Sequence, residues 1–192
     1  RGESSRVTVD AALKWIESQA GSARPFLAVI WFGSPHGPHR AAAEDRKLYP
    51  DVAPKRKNFY GEISGMDRAF GRLRSRLKEL KIRDQTLLWY CSDNGALPGV
   101  GSTGGRRGNK GKVYDGGLLV PAFLEWPAQI VEPRSLAARC STSDIYPTLL
   151  DVAGVSVEHQ PPLDGISLKT VIERNVAPLE RSMGFWNYPI RG

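Results

Sequence analysis

The run Pro25-Phe26-Leu27-Ala28-Val29-Ile30-Trp31-Phe32 restricts the fold more than any other segment of this 192-residue chain. It is apolar without a break and is too short for a helix once proline and glycine bound it. It opens directly into Gly33-Ser34-Pro35-His36-Gly37-Pro38-His39. Such a run reads as a strand buried on both faces, as in a parallel sheet covered by helices. Residues 86–91 and 118–127 repeat the pattern.

The segments between these runs are helical in period. Thr8 is placed to cap a helix over 9–20, with Val9, Ala12, Leu13 and Ile16 on one face and Gly21-Ser22 after it. Residues 50–57, rich in proline and lysine, read as exposed chain. From 58 to 80, Ile63, Met66, Phe70, Leu73, Leu77 and Leu80 recur at steps of three and four. Arg68, Arg72, Arg76 and Lys78 fall on other faces and read as solvated. Thr142 or Ser143 would cap a helix over 144–153 that Gly154 ends, and a short helical stretch lies near 167–174. Strands alternating with helices give an α/β class, with parallel strands as the usual solution.

Composition excludes some alternatives. With 41% hydrophobic and 24% charged residues the chain is globular rather than disordered. No apolar run approaches the roughly 18 residues of a membrane span, so no membrane partner is expected. The chain opens at Arg1 on polar residues with no leader in view, which fits a piece of a longer protein. A net charge of +7 favours anionic partners, although solubility alone explains it as well. Cys91 and Cys140 read as two buried thiols rather than a disulfide.

Ligands of open α/β sheets sit at the carboxyl ends of strands, and two such ends carry unusual polar residues. One offers His36 and His39. His36 stands between two prolines that stiffen its loop, and an imidazole can give or take a proton near neutral pH. Taken by itself, a histidine that merely bonds a nearby carbonyl is the stronger reading. The other end offers Asp93 and Asn94, whose oxygens suit a hard cation. An Asx-type turn closing at Gly95 uses the same residues, and spacing does not separate the two. Farther on, six glycines fall between 99 and 111, and Arg106, Arg107, Lys110 and Lys112 give that loop positive charge. Backbone amides and a lysine there can meet an anion, but the spacing is not that of a phosphate loop. One Gly-Arg-Arg-Gly without interleaved aromatics is too little for nucleic acid.

In order along the chain stand Ser34-Pro35-His36-Gly37-Pro38, Met66-Asp67-Arg68-Ala69-Phe70-Gly71-Arg72-Leu73 and Thr86-Leu87 leading to Ser92-Asp93-Asn94-Gly95. Lys110-Gly111-Lys112-Val113-Tyr114-Asp115-Gly116-Gly117 follows, then Val120-Pro121, Trp126-Pro127, Ser143-Asp144-Ile145-Tyr146-Pro147-Thr148-Leu149-Leu150 and Asp164-Gly165. This ordered set, over roughly 25–170, resembles the sulfatase family of the alkaline phosphatase superfamily.

The resemblance implies a partial alkaline-phosphatase-like domain: one incomplete unit over 1–192, with a core of about 8–154 and an extension over 155–192. It implies calcium as cofactor, with Asp93 and Asn94 as part of its ligand set. It implies that His36 contacts the sulfate ester and protonates the leaving group, and that Lys110 binds sulfate oxygens. His39 is the runner-up for the histidine role. Tyr114, Asp115, Gly116 and Gly117 are implied to shape the loop after the lysine, and Asp144 and Pro147 a helix entrance. The substrate implied is a sulfated small molecule or polysaccharide, and the compartment periplasmic or secreted.

The Cys-x-Pro/Ala-x-Arg motif, whose cysteine becomes the family's formylglycine nucleophile, does not occur in the 192 residues. Cys91 is followed by Ser92-Asp93, and Cys140 by Ser141-Thr142. The family's Asp-Asp metal pair is not in them either. The expectation is therefore a sulfatase fragment inactive by itself, binding metal weakly. Exposed apolar sheet surface would invite self-association. A phosphatase or phosphonate hydrolase of the same superfamily is disfavoured, because those use more histidine ligands and His159 lies beside Gln160-Pro161-Pro162. A non-catalytic module for sulfated glycan is the competing class.

Overall fold

Glu3 starts the first helix by turning its own carboxylate onto the free amides of Ser5 and Arg6, each at 2.8 Å. Helix α1 then runs Ser4–Ala20 and buries Val9, Leu13 and Ile16. It thus begins earlier than the predicted Thr8 cap, because a glutamate does the capping. The structure is a computed structural model, and it describes residues 3–174, 176 and 180–186.

After a single turn, α2 (Ala43–Arg46), helix α3 runs Pro54–Glu79. It begins inside the segment expected to be loop, since proline at the first helical position loses no hydrogen bond. Its buried face is Phe59, Glu62, Met66, Ala69, Leu73 and Leu77, whereas Ile63 turns partly to solvent. Ala69, Leu73 and Leu77 pack against Val9, Leu13 and Ile16 of α1 to form the main core. Small residues allow close approach beside it: a β-carbon at Gly61 would stand 2.6 Å from that of Ala41.

Strand β1 (Leu88–Cys91) and strand β2 (Ala122–Glu125) pair antiparallel, Leu88 opposite Glu125 and Tyr90 opposite Phe123. This corrects the expectation of parallel strands. Within the described residues the two strands meet each other as a ribbon, and the segment 25–32 is extended with no ladder partner. That segment also departs from burial on both faces. Ala28, Ile30 and Phe32 pack on the core, while Leu27, Val29 and Trp31 are 63%, 66% and 83% exposed. Alternate side chains of an extended chain point to opposite faces, and only one face meets a helix layer here.

The ribbon itself has side chains against it on both sides, although Phe123 stays 51% exposed. Tyr90 stacks on Phe123 at 4.7 Å between centroids, and Phe70 of α3 sets its edge against both rings. On the other side, Trp89 and Leu124 join a second core built on Leu168, Val171 and Ile172. The last two lie on a short helix over Lys169–Arg174. Between the strands a single turn, α4, spans Asp115–Leu118; after them, helix α5 spans Ile145–Ala153 and ends at Gly154 with φ 65°. Ser141, one residue ahead of the predicted cap, closes a capping box with Asp144.

Asp144 is the buried anchor of that region. Burial pushes its carboxyl upward, but bonds from Arg181 and from the amides of Ile166 and Ser141 outweigh this and hold it below the usual carboxylate range. Its role as a helix entrance agrees with the sequence reading. Cys91 and Cys140 are both free, and Cys140 is exposed rather than buried.

Candidate active site

Asp93 and Asn94 follow β1 directly. Ser92 extends the ribbon by one bond, its amide reaching the carbonyl of Pro121 at 3.3 Å, so the pair emerges where the ladder stops. Gly95 then passes against α4, and its amide bonds the carbonyl of Gly117 at 2.9 Å. A β-carbon at Gly95 would stand 2.0 Å from the oxygen of Gly116. No residue but glycine fits that approach without moving backbone.

The lysine loop closes on the same junction. The amide of Lys110 bonds the carbonyl of Ala96 at 3.0 Å, and that of Gly116 bonds Arg107 at 2.7 Å. Gly117 is packed so that a β-carbon would lie 2.0 Å from the oxygen of Lys112. Backbone contacts thus lay the segment that carries Lys110 beside the one that carries Asp93 and Asn94. Among the described residues neither the Asp93 carboxylate nor the Lys110 ammonium has a hydrogen-bond or ion-pair partner. Tyr114 and the Asp115-Gly116-Gly117 turn shape this junction, as the sequence implied. Arg107 lies over the Tyr114 ring at 3.8 Å.

The histidine loop is built separately. Ser34 is buried and bonds Ser4 at the start of α1, 2.9 Å between hydroxyls. His36 is exposed, and its Nδ1 faces the carbonyl of Gly37 at 3.0 Å. A carbonyl only accepts, so Nδ1 is the donor and Nε2 has no hydrogen-bond partner among the described residues. No hydrogen bond or ion pair among the described residues joins this loop to Asp93 or Lys110.

His39 is better anchored. Its Nδ1 meets Oε2 of Glu62 at 3.2 Å; Glu62 is buried and His39 is largely so. Glu62 takes the amide of Arg40 on its other oxygen at 2.5 Å. The ring sets its edge to Phe59, 5.3 Å between centroids. Phe59 in turn lies beside the 96–101 loop, its Cζ 3.3 Å from where a Gly101 β-carbon would stand. Through Phe59 the histidine loop thus approaches the junction that carries Lys110. Sequence reasoning missed Glu62 and Phe59. The signal for Glu62 was present: an acid in the apolar stripe, three residues after Phe59 and four before Met66.

The cation question rests on the donor set. Asp93 offers a carboxylate and Asn94 an amide oxygen, both of which suit calcium, but it takes six to eight oxygens. Among the described residues no group of three or more His, Cys, Asp or Glu is placed to hold a metal ion. The fit is that of two ligands of a larger shell. Burial, and then the charge of Asp93, push the thiol of Cys91 above its ordinary value, which disfavours the thiolate.

Comparisons with known proteins bear on the family and the fold. The family model described as Sulfatase matches residues 1–155. The chain is 28% identical over 172 residues to the uncharacterized sulfatase YdeN of Escherichia coli K12, covering 88% of this chain and 30% of that protein. It is 31% identical over 180 residues to human steryl-sulfatase, covering 88% and 29%. A crystal structure of Ps i-CgsB in complex with k-i-k-neocarrahexaose superposes with a TM-score of 0.84 at 28% identity, covering 90% of this chain and 39% of that one. The chain thus spans about a third of the length of the relatives it matches.

Proposed function

The chain belongs to the sulfatase family, and we propose that it supplies the leaving-group side and part of the cation site of an enzyme that hydrolyses sulfate esters. The observation that carries this reading is the junction at which the Lys110 amide bonds Ala96 and Gly95 bonds Gly117, holding an unpartnered ammonium in the same loop cluster as Asp93 and Asn94.

Sulfate-ester cleavage builds negative charge on the sulfate oxygens and on the departing oxygen. Lys110 binds the sulfate oxygens as a fixed positive charge. His36, with Nδ1–H held by the Gly37 carbonyl, delivers the proton to the leaving oxygen from Nε2 as the imidazolium, and His39 is the alternative for substrate contact. Asp93 and Asn94 would hold calcium, which when bound supplies positive charge at the ester. The nucleophile and the other calcium ligands would come from the part of the relatives' length that this chain does not span. The substrate would be a sulfated small molecule or polysaccharide, in line with the neocarrahexaose in the complex of Ps i-CgsB. No helix among the described residues is long and apolar enough to cross a membrane. A periplasmic or secreted setting is proposed from the resemblance. Self-association through Leu27, Val29 and Trp31 belongs to the same reading, and a clean monomer at high concentration on size exclusion would remove it.

The test is binding rather than turnover. Titrating an aryl sulfate into the 192-residue chain, followed by amide NMR, should perturb Lys110 and Gly111, and Lys110→Ala should abolish the perturbation. Unchanged binding in Lys110→Ala refutes the assignment. Calcium should bind weakly, with Asp93→Ala removing it, and tight binding by calorimetry contradicts a partial site. Aryl sulfate hydrolysis by the chain alone, lost in His36→Ala, would overturn the expectation that these residues need a nucleophile from elsewhere.

A further inference from the structure

We infer that Glu62 is a positioning residue that holds His39 as its Nδ1–H tautomer, making Nε2 a hydrogen-bond acceptor that recognises a substrate hydroxyl next to the sulfate ester. The substrate role rests on the sulfatase reading above; the tautomer does not.

Glu62 and His39 have side chains only 7% and 9% exposed, with 3.2 Å between Oε2 and Nδ1. An ionised carboxylate can only accept, so the proton of a neutral ring must sit on Nδ1. The carboxylate is itself held fast, because its second oxygen takes the Arg40 amide at 2.5 Å. Phe59, also buried, sets the ring plane from the side at an interplanar angle of 80°. Nδ1 is thus spoken for, the ring cannot swing, and Nε2 has no hydrogen-bond partner among the described residues. A histidine fixed by a carboxylate behind it is the arrangement by which a second group sets which nitrogen faces a ligand.

The chemistry then divides. A sulfate group carries only acceptor oxygens, so it calls for donors, and Lys110 is one. On the neutral ring a bare Nε2 accepts and cannot serve a sulfate oxygen, which only the imidazolium could do. It suits a donor, and the donor that a sulfate ester of a polyol brings with it is the neighbouring hydroxyl. His39 and Lys110 would therefore read two different groups of one substrate. A fixed acceptor also rejects an analogue in which that hydroxyl is capped.

Glu62→Gln tests this with little change of shape. The carboxamide oxygen of the variant side chain would keep the Arg40 amide, which turns its NH2 toward Nδ1 and forces the proton to Nε2. Two-dimensional 15N spectra of the imidazoles, at about pH 8.5 where free imidazole is neutral, should show a protonated Nδ1 at His39 in the wild-type chain. They should show a protonated Nε2 in Glu62→Gln, with His39→Gln giving the assignment. Protonated Nε2 in the wild-type chain overturns the proposal even if the variant fails to fold.

The second arm compares trans-2-hydroxycyclohexyl sulfate with its 2-methoxy analogue. The wild type should prefer the hydroxyl compound by about threefold to tenfold, as for one hydrogen bond. Glu62→Gln should erase that preference, while Lys110→Ala should weaken both compounds equally. An unchanged preference in folded Glu62→Gln overturns the inference alone. Binding of neither compound by the wild type, or indifference to Lys110→Ala, refutes the sulfatase reading and with it the hydroxyl contact, whatever the tautomer.

Discussion

The α1–α3 pair and the glycine junction around Lys110 are ordered by opposite means. The helix pair is held by what its side chains fill: Val9, Leu13 and Ile16 against Ala69, Leu73 and Leu77. The junction is held by what is missing, since Gly95, Gly116 and Gly117 let three backbones approach to distances that no β-carbon survives. Packing of the first kind degrades gradually as volume is removed. The second kind has no slack. The difference assigns the helices to stability and the junction to geometry, and each can be damaged separately.

Leu73→Ala should have the largest effect. Leu73 is 2% exposed between the two helices, and its loss should cost about 2–5 kcal/mol of unfolding free energy by denaturant titration. The Lys110 amide should keep its chemical shift in the folded fraction. Movement of that shift would mean the two regions are not separable.

Gly95→Ala comes next, at about 1–3 kcal/mol, as for overpacking. Here the α1 and α3 amides should retain their hydrogen-exchange protection while the Lys110 and Gly95 amides lose theirs. Equal loss across the chain would break the comparison.

A smaller effect tests the link between helix and ribbon. Arg74 of α3 bonds Glu125 on β2 at 2.5 Å, and Arg83 bonds its other oxygen at 2.7 Å. The Arg74 bond leads in holding the Glu125 carboxyl below its ordinary value; burial opposes it and Arg83 adds to it. A depressed folded value stabilises the native state above the ordinary glutamate range, near pH 4.3, and this is lost as pH falls through the folded value. Glu125→Gln should therefore cost about 1 kcal/mol at pH 7 and nothing in strong acid. An acid-unfolding curve unchanged by the substitution would remove the link.

These two regions also differ in how much of them could be read from the sequence. Helical period alone identified the faces of α1 and α3, because Leu13, Leu73 and Leu77 recur in register with the turn. It missed both starts. Glu3 caps where a serine or threonine was sought, and Pro54 opens a helix where proline suggested loop. Pairing was not readable at all. That 88–91 meets 122–125 antiparallel depends on contacts far apart in sequence, and propensity for strand does not name a partner. The site residues stood out individually, but the backbone contacts beside them, Lys110 to Ala96 and Gly95 to Gly117, rest on close approaches at glycines, which show in sequence only as flexibility. Phe59 and Glu62 stayed hidden among ordinary helix residues, although they anchor His39.

The alternation in 26–32 bears on how the molecule can be handled. Ala28, Ile30 and Phe32 belong to the core, so the inner row cannot be altered cheaply, while the outer row of Leu27, Val29 and Trp31 adds nothing to it. Peptide groups without a neighbour beside a greasy comb form a template for any extended chain in solution. If the proposed self-association runs through this segment, it rather than the net charge sets the concentration ceiling of the purified protein. Val29→Lys should lift that ceiling and shift the melting temperature by no more than a surface change usually does.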